Sequence, residues 1–253
     1  MNFTITWAMT KRAQGDLYLR IDDIDQLRTR TEYIDDIRET LKWLGFDWNK
    51  ELPLQSIQRE KYWSWLQQIP HYVCDCSRKQ IEERGVDAYD GFCRLRNLTD
   101  SPGMTQIRLL SDDVRDDMVL WRKEDNASYQ LASVVDDISA GVNLIVRGED
   151  LRESTNLQKK LVLKMGLQGI SFKHIKFFHH PLLTRQDGQK LSKSNHDISL
   201  KSLRENGHTS ESVFAELGRQ LGINNKTLRL DDFLEIEFEK LKGLEIDPTP
   251  SKN

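Results

Sequence analysis

An α/β fold is what this 253-residue sequence predicts, and three observations predict it. Short apolar runs end in carboxylates, as at Gly15 to Asp25 (GDLYLRIDDID) and Val142 to Asp150 (VNLIVRGED). Stretches with helical apolar periodicity separate those runs. A further strand-like run at Phe177-Phe178 leads into a Gly-led loop carrying Lys190-Leu191-Ser192-Lys193-Ser194. In open α/β sheets ligands sit beyond the carboxyl ends of strands, so the polar residues just past each apolar run are the candidate site residues.

Taken in order, Leu17, Tyr18, Leu19 and Ile21 form a buried strand from whose end Asp22 and Asp23 emerge. In the helix that follows, Thr29 and Glu32 fit a capping box and Ile34, Ile37, Leu41 and Leu44 share a face, while Gly45 suits the position just past the end. Ser128 to Asp137 and Val142 to Asp150 read as a second strand-rich stretch, each pairing an apolar run with polar residues at its end. Thr155 to Leu167 reads as a helix with Lys159, Lys160 and Lys164 exposed. Ser210 to Leu221 is a helix with Val213, Phe214, Leu217 and Leu221 as its apolar face. Asp231 caps a last helix reaching about Leu241, and DPTPSKN is a loose tail. No internal repeat and no low-complexity segment interrupts this order.

Composition narrows the function classes. Thirty-seven Lys and Arg against 40 Asp and Glu leave a formal charge of −3, so a nucleic-acid surface must be a local patch. The length suffices for one large α/β domain or two small ones. The apolar runs are far short of a membrane span and no charged-then-apolar leader follows Met1, so a cytoplasmic protein is expected. The three cysteines, Cys74, Cys76 and Cys93, lie in one short segment. An odd count in a reducing compartment points away from disulfides and towards a metal site.

Three constellations carry chemistry. In HYVCDCSRKQIEERGVDAYDGFC, Cys-x-Cys and a third cysteine offer three thiolates, and tetrahedral zinc takes a fourth ligand. Tyr89 and His71 are the nearby candidates; imidazole is the more ordinary ligand, so chemistry alone favours His71. Three buried thiols without metal is the other reading. The second set, Asp22, Asp23, Asp25, Tyr129, Asp136, Asp137, Arg147, Glu149 and Asp150, sits at the ends of apolar runs. An amino acid needs a carboxylate for its ammonium, an arginine for a carboxylate and a hydroxyl to orient it, which Asp22, Arg147 and Tyr129 could supply. Carboxylates after strands also commonly cap helices. The third set is His179-His180-Pro181 with the lysine loop. Neighbouring histidines in a strand point to opposite faces, so one of them could stack on or hydrogen-bond an adenine. The ammonium groups of Lys190 and Lys193 suit a mobile polyphosphate clamp, against the plainer reading of a solvated basic turn.

Together these segments resemble the catalytic domain of class I glutamyl-tRNA synthetases. LRIDDID resembles that family's LRIEDTD strand, and SYQLASVVDDISAGVNLIVRGEDL its glutamate-site region. HHPLLTRQDGQKLSKS resembles its KMSKS loop, and QSIQREKY its QSxRxxxY helix start. Within the family the short paralogues, the glutamyl-queuosine tRNA(Asp) synthetases, are more similar. Their zinc pattern, Cys-x-Cys…Tyr-x-x-x-Cys, matches Cys74, Cys76, Tyr89 and Cys93 and so implies Tyr89 in place of His71. Only about sixty residues follow the lysine loop, too few for an anticodon-binding helical domain.

The resemblance implies a Rossmann-like parallel sheet, a structural zinc ion, and ATP used with Mg2+. Residues 1–70 and 116–195 would form the catalytic domain, 71–115 the zinc-binding insertion, and 196–253 a C-terminal helical segment. It implies that Asp22, one methylene shorter than the family's glutamate, binds the substrate ammonium, with Tyr129 and Arg147 completing the L-glutamate site. Lys193, with Lys190 beside it, would contact ATP, and His180 would lie at the adenine. Glutamate would be adenylated and its glutamyl group passed to queuosine in the tRNA(Asp) anticodon by a monomer. One departure is that no His-x-Gly-His or His-x-Gly-Asn precedes Asp22. Met1 to Ala8 reads as the helix after that turn, so the first strand and half the ATP site are expected to be missing, leaving an apolar sheet edge. The alternatives are a non-catalytic tRNA-binding relic and a glutamyl-tRNA synthetase fragment charging the acceptor end. Basic residues around Lys159, Lys160, Lys173 and Lys176 could contact phosphates under each.

Overall fold

The computed structural model describes residues 1–25, 29–183, 199–223 and 228–238, and the backbone of 245–246. Helix α1 (Asn2–Arg12) buries Ile5, Trp7 and Ala8. Its Trp7 indole donates to Asp47 at 2.7 Å, and Lys11 pairs with the same carboxylate at 2.6 Å. Strand β1 is shorter than the apolar run suggested. Only Tyr18–Leu19 joins the ladder, while Arg20 and Asp22 beyond it pair with one another at 2.7 Å. Helix α2 (Thr31–Trp43) has Arg30 at its N-cap with no side-chain cap. The expected capping box does not form because the Thr29 hydroxyl donates to the Asp25 carbonyl instead, at 2.9 Å. Ile34, Leu41 and Leu44 are buried, Ile37 at the edge of the face is 39% exposed, and Gly45 closes the helix at φ +83° as expected. Strand β2 (Lys50–Glu51) runs parallel to β1.

Helix α3 (Arg59–Leu66) leads to β3 (His71–Cys74), and α4 (Arg78–Glu83) starts with a Ser77–Gln80 capping box. Strands β4 (Gln106–Leu109) and β5 (Val119–Trp121) complete an antiparallel sheet in the order β3-β4-β5. Tyr129–Ser139, expected to be a strand, is helix α5, and this corrects the sequence reading. Its apolar run buries Leu131, Ala132, Val134 and Val135 together, a pattern in which period alone cannot separate buried strand from buried helix. The Ser128 hydroxyl, accepting from the Leu131 N–H, marks the N-terminus.

Strand β6 (Leu144–Gly148) is where it was expected, and α6 (Arg152–Lys164) starts three residues earlier than expected. Strand β7 (Lys176–His180) follows, then α7 (Leu200–Glu205) and α8 (Ser210–Gln220), the latter burying Phe214 and Leu217. At the last described helical stretch, a 3-10 turn over Leu230–Glu235, Asp232 rather than Asp231 caps, its carboxylate accepting from the Arg229 N–H at 2.6 Å. Strand β8 (Glu245–Ile246) pairs antiparallel with β7, in the order β6-β7-β8. Among the described residues the strands form three small sheets: β1 and β2 are a parallel pair by their register, β3-β4-β5 is antiparallel, and in the third β7 and β8 pair antiparallel. The fold is mixed α/β.

Two compact units emerge. The first comprises Met1–Leu54, Leu144–Arg152 and the described part of Phe177–Pro248. Its core gathers Ile5, Ala8, Leu41, Phe46, Val146, Phe178, Phe214 and Phe233, with Phe214 6.2 Å from Phe46 and 5.6 Å from Phe233 between ring centres. Arg204 of α7 ties on α2 through Thr40 (2.9 Å) and Asp36 (2.7 Å). The second unit comprises Gln55–Asn143 and Glu153–Lys176. There the Asp136 carboxylate of α5, 3% exposed, accepts from Gln55 (2.9 Å), Tyr62 (2.9 Å) and Lys61 (2.8 Å). A buried carboxylate is tolerated only with such a full set of donors. The QSIQREKY segment thus clamps α3 to α5 through its Gln and Tyr.

Candidate functional site

The cysteine segment assembles a compact centre inside the second unit. Strand β3 delivers Cys74, and Cys76 follows before α4 begins. Gly91 turns the chain back at φ +78°, where an added Cβ would lie 2.5 Å from Val114 Cγ2, so both conformation and space select glycine. That turn brings Cys93 to Cys76, with their sulfurs 3.5 Å apart, and the three Sγ atoms lie within 4.8 Å of one another. All three residues are buried, with Tyr72, Tyr89, Ile81 and Leu98 packed on them.

Of the two candidate fourth ligands, Tyr89 is at this centre: its hydroxyl accepts the Cys93 N–H at 2.9 Å. His71 is turned elsewhere, donating from Nδ1 to the Ile69 carbonyl at 2.6 Å. An odd separation along β3 puts His71 and Cys74 on opposite faces.

Electrostatics in the centre pull in two directions. Burial pushes the Cys74 thiol up, but donors on Arg108 and Gln106 outweigh it and leave it below the usual range. Burial, the Cys93 contact and the charge of neighbouring thiols push Cys76 up to about 12. Burial likewise raises the Tyr89 hydroxyl. Crowded sulfurs repel as thiolates, and a divalent cation relieves that repulsion. Three buried sulfurs with a phenol oxygen beside them are consistent with a zinc site of the structural kind.

The run-end residues are distributed over both units. In the first, Asp22 is exposed and paired with Arg20, whereas its neighbour Asp23 is buried at 4% exposure. Arg147, on β6, is 5% exposed with its guanidinium 5.3 Å from the Phe177 ring centre. Glu149 pairs with Arg152. His180 is buried at the end of β7; its Nδ1 lies 2.8 Å from the Pro181 carbonyl, which fixes the proton on Nδ1. Its Nε2 is therefore an acceptor, and it has no hydrogen-bond partner among the described residues. Burial lowers the His180 pKa below the ordinary histidine value. In the second unit, Tyr129 is the first residue of α5 and is 36% exposed, while Asp136 and Asp137 are buried within the helix. Lys190 and Lys193 fall outside the described residues. Lys160 and Lys164 pair with Asp116 and Asp112, each at 2.6 Å.

Sequence reasoning missed the arginines around the sulfurs. Arg84 and Arg96 are close to the cysteines in sequence, but Arg108 reaches Cys74 only because β4 pairs with β3, opposite Tyr72.

Residues 2–97 and 96–239 match the family model of class I tRNA synthetases (E and Q), catalytic domain. A glutamyl-Q tRNA(Asp) synthetase of Synechococcus sp. (strain CC9605) is 35% identical over 91% of this chain and 81% of its own length. The glutamyl-Q tRNA(Asp) synthetase of Parasynechococcus marenigrum (strain WH8102) is 32% identical over 95% of this chain and 83% of its own. The solved glutamate-tRNA synthetase of Elizabethkingia anophelis, 22% identical, superposes with a TM-score of 0.75 over 95% of this chain. The chain spans 62% of that synthetase's length, and the likeness establishes the fold. Among the described residues no helix is long and apolar enough to cross a membrane. On matches of this extent, the chain belongs to the glutamyl-Q tRNA(Asp) synthetases, within the class I glutamyl and glutaminyl synthetase family.

Proposed function

We propose that this chain activates L-glutamate with ATP and transfers the glutamyl group to queuosine in the anticodon of tRNA(Asp). The observation that carries the proposal is the 35% identity to a glutamyl-Q tRNA(Asp) synthetase across 91% of the chain. In the first step a glutamate carboxylate oxygen attacks the α-phosphorus of ATP, used as its magnesium complex. Pyrophosphate leaves and glutamyl-adenylate forms. In the second, a hydroxyl of queuosine attacks the activated carbonyl and AMP leaves.

Asp22, Tyr129 and Arg147 bind glutamate: the carboxylate holds the ammonium, the guanidinium a carboxylate, and the hydroxyl orients the substrate. Lys193, with Lys190, offsets phosphate charge in the transition state. His180 suits the adenine, because its buried Nε2, which has no partner among the described residues, can accept from an exocyclic amine. Cys74, Cys76 and Cys93 hold a structural zinc ion with Tyr89 as fourth ligand, which the convergence of the three sulfurs supports. Such an ion crosslinks the segment when bound.

The test is glutamate-dependent ATP–pyrophosphate exchange, followed by transfer of labelled glutamate to tRNA(Asp) with and without queuosine. Exchange, and transfer to the queuosine-bearing tRNA alone, is the expected result. Absence of exchange overturns activation and favours a tRNA-binding relic. Transfer to both tRNAs points to charging at the acceptor end.

A further inference from the structure

We propose that Arg84, Arg96 and Arg108 form a cationic shell that neutralises an anionic metal–thiolate centre at Cys74, Cys76 and Cys93, with Arg108 its principal member. The inference rests on the zinc reading above and concerns residues that do not themselves bind metal. Each sulfur receives one guanidinium: Arg108 Nε lies 3.4 Å from Cys74 Sγ, Arg84 Nη1 3.7 Å from Cys76 Sγ, and Arg96 Nη1 3.4 Å from Cys93 Sγ. A divalent ion bound by three thiolates and a phenolate keeps two net negative charges. The cysteines are at most 4% exposed, and a charge buried that deeply is costly unless it is paired.

The three arginines are not equivalent. Arg84 is shared with the Asp90 carboxylate at 2.7 and 2.8 Å, and Arg96 with Asp75 at 2.6 Å. Asp75 also lies 3.4 Å from Cys93 Sγ, so Arg96 serves two anions. The side chains of Arg84 and Arg96 are 25% and 37% exposed, where water screens part of their charge. Arg108 is 8% exposed, and among the described residues its hydrogen bonds go to Cys74 and a backbone carbonyl rather than to a carboxylate. Its Nη1 donates to the Asp117 carbonyl at 2.8 Å, and its guanidinium lies 3.8 Å from the centre of the Tyr89 ring. A buried guanidinium needs an anion, and the metal–thiolate centre supplies one at Cys74. Arg108 thus touches two proposed ligand residues, Cys74 through a hydrogen bond and Tyr89 through its ring face. It sets their position as well as the charge around them.

The experiment measures zinc content of the purified wild-type chain, then zinc affinity by competition with a chromophoric chelator. The variants are Arg108→Met, Arg108→Lys and the double variant Arg84→Met/Arg96→Met, with folding followed by circular dichroism. Arg108→Met is expected to weaken zinc binding about 10- to 100-fold, the range seen when groups supporting metal ligands are removed. Arg108→Lys restores part of that loss, which lost packing alone does not explain, and the exposed double variant loses less than about 10-fold. Co2+-loaded Arg108→Met keeps its thiolate-to-metal charge-transfer band, because the ligands are unchanged. Wild-type affinity in a folded Arg108→Met overturns the proposal. If that variant does not fold, unchanged affinity in the double variant overturns it. A wild-type chain holding no zinc overturns the metal reading itself, a result distinct from either.

Discussion

The cysteine centre and the end of β7 are both buried and polar, yet they are finished differently. At the cysteine centre every sulfur already has a donor, and the Tyr89 hydroxyl is engaged by a backbone N–H. At the end of β7, His180 has one ring nitrogen satisfied by a carbonyl, and the other has no partner among the described residues. A buried polar atom without a partner is costly, so it persists where a ligand completes it. The closed centre suits an ion that holds the chain together, and the open one suits a substrate that comes and goes.

Four measurements break or sharpen this contrast. Cys93→Ser has the largest expected effect: bound zinc falls from about one per chain towards zero, and chelation of the wild type reproduces the loss of stability. Tyr89→Phe should also weaken zinc binding, while His71→Ala, altering a side chain turned away from the sulfurs, should not. Zinc titration showing the reverse would return His71 to the site.

His180→Gln is expected to raise the KM for ATP in pyrophosphate exchange by about fivefold, the worth of roughly one hydrogen bond. Zinc content should stay unchanged. An unaltered KM removes His180 from the nucleotide site.

The smallest effect is a difference in acid sensitivity. Burial lowers the folded-state pKa of His180, so the unfolded chain takes up a proton first as pH falls. Its stabilisation is complete above about pH 6.5 and is lost as pH drops through the window below. Asp117 beside the cysteine centre behaves differently. Burial would raise its carboxyl, but hydrogen bonds from Arg94, Ser111 and Tyr72 outweigh burial and hold it below the ordinary value. Its stabilisation therefore persists to about pH 4 and is lost below. Thermal unfolding across pH should show a shallower slope near pH 6 in His180→Gln, with the loss below pH 4 retained. An identical profile in variant and wild type would remove His180 as a source of the upper window.

What the sequence determined by itself was whatever local spacing encodes. The amphipathic faces of α2 and α8, the Gly45 helix end, the β6 strand and the clustering of three cysteines within twenty residues were all legible. Each depends on neighbours a few residues away, where backbone period ties position to face. The family was legible too, because its motifs are long and ordered. Tertiary structure decided the rest. Seven consecutive buried residues at Leu131–Asp137 carry no period, so α5 declared itself through its Ser128 cap and its packing on α3. Asp136 looked like a candidate site carboxylate until Gln55, Lys61 and Tyr62 were found around it. Tyr89 rather than His71 faces the sulfurs because β3 alternates its side chains, and Arg108 arrives there through the register of β4. Those partners are distant along the chain, and only folding sets which of them meet.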